Sequence, residues 1–174
     1  MILTDETLWR PGDIGFSHNV GIVASGIRFA EKRDGELDAD INHTFALYKK
    51  DENGEWLVIQ AELGGVTNKR KLSEVAPKGK LRIHSFPDAL ADRQKFLTFL
   101  EAQVNEDYSL LSIFSNAIDM YLPDAICLRR AFTWICSGLI GSGLLFAGYE
   151  PMIRLPDFYT TTPAKVESLL PFYP

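Results

Sequence analysis

Cysteine is scarce in this chain: two residues, Cys127 and Cys136, in 174. That excludes a disulfide framework, and the three histidines at 18, 43 and 84 add no zinc-like spacing to them. No metal and no cofactor is expected. Basic charge is short as well, with 18 Lys and Arg against 23 Asp and Glu and a net charge of −5. A nucleic acid or an anionic membrane is therefore not the expected partner. The N-terminus, Met1-Ile-Leu-Thr-Asp-Glu-Thr7, lacks the basic region and long apolar run of a signal peptide. The expectation is cytoplasmic residence, or export by a route the sequence does not reveal. The one long uncharged run, Ala131 to Tyr149, is interrupted by glycines and has no basic flank to orient it, so no membrane span is expected. Internal repeats, low-complexity segments and shifts in composition are missing too. One domain over residues 1–174 is expected, with 46% hydrophobic and 24% charged residues, ordinary for a globular protein.

What is present centres on that apolar run. It holds a thiol at Cys136 where a helix is expected to start, capped by Thr133 and stopped by Gly148. Gly138, Gly141 and Ser142 let such a helix sit close to a neighbour. A thiol in the first turn lies near unpaired N–H groups and the positive end of the dipole, which favours its thiolate. The same pattern also fits a buried helix with an inert cysteine.

Upstream, Pro11-Gly12-Asp13 signals a turn into a short strand, and the apolar spacing from Ser17 to Lys32 predicts a helix capped by Ser17 or Asn19. The strongest β signal follows. Asn42–Tyr48 and Trp56–Leu63 flank Asn53-Gly54, a hairpin turn. With Asn53 and Gly54 as the whole loop, His43 falls opposite Gly64, with Gln60 and Glu62 on its face. A two-residue shift brings it opposite Glu62 and keeps the face; a one-residue bulge breaks the parity. Lys69-Arg70-Lys71 reads as a solvated basic loop. Lys80–Phe86 reads as a strand and Asp88–Val104 as an amphipathic helix with Leu90, Phe96, Leu97, Phe99 and Leu100 inward. Asn105–Cys127 reads as a less regular cover over a cleft. The proline-rich tail after Tyr149 is expected to be extended.

A thiol at a helix start, a histidine on a strand and a polar residue on the next strand are the three parts of a thiol acyl-transfer site. Of the histidines, His43 alone has an acceptor-bearing neighbour expected on its face. The order Gly12-Asp13, Asn42-His43, Val58-Ile-Gln-Ala61, Gly65-Val66 and Trp134-Ile-Cys-Ser137 resembles the permuted NlpC/P60 hydrolases. These are papain-like enzymes whose His precedes the Cys, and they include the YiiX-like and lecithin retinol acyltransferase-like groups. The likeness runs from about Arg10 to Gly148. It implies an α+β fold with a small antiparallel sheet on the cysteine-bearing helix, Cys136 as nucleophile, and His43 as base. It places the third polar residue at Gln60, where the family often has Glu or His; Glu62 is the rival. It also implies a peptide or acyl substrate: amide bonds, with cell-wall peptides the class suggested most strongly, or acyl esters in an acyltransferase or lipid hydrolase. A structural or binding protein that retains the fold without turnover is the alternative of a different class.

Overall fold

In a computed structural model, the chain is described over residues 2–18, 41–62, 65–76, 81–108, 133–134, 136–154 and 161–171. Five strands form an antiparallel sheet: β1 (Ile14–Ser17), β2 (His43–Lys50), β3 (Trp56–Glu62), β4 (Gly65–Lys71) and β5 (Leu81–His84). Their order is β4-β3-β2-β1-β5. Helices α1 (Leu72–Val75), α2 (Arg93–Ala102), α3 (Cys136–Phe146) and α4 (Pro163–Leu169) complete a mixed α+β architecture, with a short parallel pair, β6 (Asp107–Tyr108) and β7 (Thr133–Trp134). Among the described residues, no helix is long and apolar enough to cross a membrane.

Both faces of the sheet are covered. Ile14, Phe16, Ala46, Ile59 and Ala61 meet Phe96 and Leu100 of α2 and Leu139, Ile140 and Leu144 of α3. Phe45, Leu47, Val58 and Ile83 meet Leu3, Trp56 and Val75 on the other face. All four residues of β1 are accordingly buried, so it shows none of the in–out alternation of a half-exposed strand. Within it, Gly15 stands beneath the Phe45 ring, which a Cβ at this position would strike. Gly143 does the same for α3, where a Cβ would meet Phe96 at 2.9 Å, and this is where the two helices draw close.

The predicted turn at Pro11-Gly12 leads into β1, with Gly12 at φ +87°. Buried Asp13 ties the turn to the rest of the molecule. It accepts from the Arg10 N–H at 2.8 Å, the Phe86 N–H at 2.9 Å and Arg93 Nη1 at 2.8 Å. Ser17 ends β1 and donates to the Val75 carbonyl, so it does not cap the helix expected from 17 to 32. The remainder of that expectation lies in 19–40, outside the described residues, as does most of the cleft cover expected over 105–127, together with Cys127.

The hairpin forms with a different tip. Lys50 pairs with Trp56, leaving five loop residues, 51–55, organised by the Asp51 carboxylate accepting from the N–H groups of Asn53 and Glu55. Gly54 takes φ +82°. A bulge between Leu47 and Lys49 then moves the register by one more residue, to Leu47 opposite Val58 and Ala46 opposite Ile59. The longer loop and the bulge each displace the pairing by one. Together they make the two-residue shift that keeps His43 and Gln60 on one face.

Three further expectations are corrected. Lys69, Arg70 and Lys71 belong to β4 at the edge of the sheet rather than to a loop. Charged side chains are what an edge strand carries against unwanted pairing, and here they find Glu62, Asp51 and Glu55. The helix predicted from Asp88 starts at Arg93, capped by Asp92; Pro87 opens a turn over 88–91 that leaves Leu90 exposed. The tail is not all extended. A 3-10 turn spans Glu150–Arg154, and Pro163 occupies the first turn of α4 behind Thr162, where its missing N–H costs nothing.

Candidate active site

Helix α3 begins at Cys136 itself, and Thr133, expected to cap it, lies three residues earlier in β7. The helix ends as the glycine implies. Gly148, at φ +91°, donates to the Leu145 carbonyl and Tyr149 to that of Leu144, the Schellman arrangement. Cys136 is 2% exposed. Beside it, Ser137 Oγ donates to the Thr161 carbonyl, anchoring the first turn to the segment leading into α4.

His43 opens β2, and its ring is hydrogen-bonded to the Cys136 thiol. Its Nε2 lies 2.6 Å from Gln60 Oε1, which leaves Nδ1 for the sulfur. Gln60, 3% exposed, comes from the adjacent strand β3. Its Nε2 donates to Glu62 Oε2 at 2.9 Å, and Arg70 Nε of β4 lies 2.9 and 3.1 Å from the two Glu62 oxygens. A continuous line thus runs from thiol to imidazole, amide, carboxylate and guanidinium, crossing from the middle strand to the edge.

Electrostatics follow from this line. Burial opposes charge on the His43 ring, yet its pKa is raised, because the Cys136 charge and hydrogen bond, the Gln60 amide and the Glu62 charge outweigh that burial. Burial likewise pushes the Cys136 thiol up. The His43 charge and hydrogen bond, with the backbone N–H groups of Thr44 and Ser137, reverse this and hold it below the usual thiol range. The pair therefore leans toward thiolate and imidazolium.

Cys136, His43 and Gln60, the three residues singled out in the sequence, are brought together. Glu62 is one step further out, bonded to Gln60 rather than to the ring. Neither of the other histidines is among the groups bonded to Cys136 or Gln60 in this line. His18 follows β1, and His84 in β5 has Nε2 2.7 Å from Glu167 Oε1 of α4, with its ring edge-on to Phe16. Two contributors carried no signal in the sequence. The Thr44 N–H is a backbone group, and Arg70 sits in a basic run read as a loop. Among the described residues, no cluster of three or more His, Cys, Asp or Glu could hold a metal ion. Compared with models of known protein families and with curated proteins, the chain matches none.

Proposed function

We propose that the protein is a thiol-dependent hydrolase of amide bonds, built on a permuted papain-like fold with His43 ahead of Cys136 in the chain. The observation that carries this is the buried hydrogen-bonded line Cys136–His43–Gln60, with the thiol at a helix N-terminus and its pKa lowered. In the first step the Cys136 thiolate adds to the amide carbon. The backbone N–H of Cys136, which has no partner within the helix at that position, faces the oxyanion. Imidazolium Nδ1–H protonates the leaving amine as the C–N bond breaks, leaving a thioester. Water then attacks the thioester carbon, His43 takes its proton, and release of the acid restores the thiol pair. Gln60 accepts from Nε2–H throughout and keeps Nδ1 turned toward sulfur. The resemblance to NlpC/P60 enzymes points to cell-wall stem peptides as the substrate class.

Iodoacetamide, small and neutral, tests the nucleophile. At pH about 6.5, well below an ordinary thiol pKa near 8.5, the native protein is expected to be alkylated at Cys136 and the site mapped by mass spectrometry. Modification confined to Cys127, or none at either cysteine, would overturn the reading. Muropeptides and acyl esters offered side by side then separate amide from ester chemistry. Labelling without turnover on either class would mark a retained scaffold.

A further inference from the structure

The Gln60 amide has two ends of nearly the same shape and opposite polarity, and only one of them suits His43. With Oε1 toward the ring, Nε2 must carry a proton and Nδ1 is left to exchange one with the sulfur. With the amide turned over, its NH2 would face Nε2, the ring proton would move to Nδ1, and the neutral ring could no longer take a proton there. Nothing in glutamine itself selects the useful orientation.

Glu62 does. Ionised, it has acceptors only, and one of its oxygens lies 2.9 Å from Gln60 Nε2. A turned amide would set its carbonyl oxygen against that carboxylate. Glu62 is held by Arg70 of β4, which donates to both of its oxygens, and Arg70 is in turn 3.8 Å from Glu74 of α1. Every bond in the line then has one direction: Arg70 to Glu62, Gln60 to Glu62, His43 to Gln60. Among the described residues, Arg70 is the ion-pair partner of Glu62, the His43 ring feels its charge, and the Glu106 backbone lies beside Gly65, the strand partner of Glu62.

We propose that Glu62, held by Arg70, is a positioning residue for the thiol site, acting through Gln60 to fix the tautomer of His43 and to lend the imidazolium a displaced negative charge. In this arrangement an amide and a carboxylate in series do the work of the single carboxylate that often stands at the third position. The inference rests on the Cys136–His43 reading above and deepens it.

The test is the pH profile of iodoacetamide alkylation of Cys136 in the full chain, read for wild type and five variants. Glu62→Gln keeps the shape and removes the charge. Glu62→Ala removes both. Each is expected to raise the midpoint by up to about one pH unit, less than a directly contacting charge produces, with Glu62→Ala the larger. The double variant Gln60→Glu with Glu62→Gln puts the carboxylate directly on Nε2 and an amide behind it, and is expected to return the midpoint to the wild-type value or below. Glu52→Gln, the same charge change on the exposed hairpin loop, is expected to leave the profile unmoved. A purely structural role for Glu62 would not give rescue by exchange. Should both Glu62 variants superimpose on wild type while His43→Ala moves the profile, this inference falls and the catalytic pair stands. Should His43→Ala leave the profile unmoved as well, both fall together.

Discussion

His43→Ala is expected to raise the pH at which Cys136 becomes reactive by about one to three units, the range over which a contacting opposite charge shifts an ionisable group. The sign follows from the site. The imidazolium lowers the thiol pKa against a burial that by itself would raise it. Without the ring, only the Thr44 and Ser137 N–H groups and the helix terminus remain to favour the thiolate. At pH about 6 the alkylation rate should then fall on the order of tenfold to a thousandfold, following the lost thiolate fraction. The measurement is pseudo-first-order labelling at several pH values, with circular dichroism confirming that the variant is folded. A folded variant that alkylates at the wild-type rate across the profile would remove His43 from the site. Hydrolysis of a muropeptide, once a substrate is in hand, should fall in parallel with His43→Ala and vanish with Cys136→Ala.

Asp13→Ala has the largest expected effect on stability, although Asp13 does not touch the thiol. Its fully buried carboxylate accepts two backbone N–H groups and the Arg93 guanidinium, whose remaining bonds go to the Pro11 carbonyl and to both Asp88 oxygens. Removing the carboxylate leaves the Arg10 and Phe86 N–H groups without their acceptor, about 1–3 kcal/mol each, while Arg93 keeps its pair with Asp88 but loses its buried contact. In a chain of this length each kcal/mol is worth roughly 2–4 °C, so the melting temperature should drop by on the order of 10 °C. Thermal unfolding followed by circular dichroism checks it. A drop of less than about 2 °C would mean that water and rearranged neighbours satisfy the stranded groups, and the anchoring role would fail. The Gly12-Asp13 pair in the resemblance is thus accounted for by architecture: a glycine at positive φ to turn the chain and a carboxylate to pin the turn to Phe86, just past β5, and to α2.

The parts of this structure most legible in the sequence are those whose cause is local. Asn53-Gly54 marks the hairpin, Gly148 stops α3, and Pro11-Gly12 turns into β1; each is a backbone preference that acts within a few residues. That Cys136, His43 and Gln60 come together was legible because only three histidines and two cysteines are candidates. What misled was chemistry read without its neighbours. Lys69, Arg70 and Lys71 look like a solvated loop until the acids on β3 and on the hairpin loop lie beside them. The prolines after Tyr149 look like breakers, yet Pro163 stands in the first turn of α4, where an N–H would have no partner within the helix. Thr133 has the right side chain for a cap, but pairing of β7 with β6 takes that stretch into a strand. The two register offsets in the hairpin are invisible to pattern because they add to two residues, which restores the parity, and parity is all that an alternating sequence reports.

The strand order carries a consequence for how the molecule assembles itself. Strands β2, β3 and β4 follow one another and pair with their immediate neighbours, so the bond from His43 to Gln60 spans only 17 residues of chain. Strand β1 is inserted between β2 and β5, and its anchors reach 73 residues to Phe86 and 80 to Arg93. Closing those long loops costs chain entropy before any contact returns it, so the meander is expected to nucleate folding and β1 to dock late. In a chevron experiment, Gly54→Ala at the hairpin tip should mainly slow refolding, while Asp13→Ala should mainly quicken unfolding. The reverse partition would place the nucleus around β1. On the expected route, the imidazole and its amide meet in the earliest part of the chain to fold, and the thiol, carried by a helix from the far end of the sequence, is delivered to a cradle already formed.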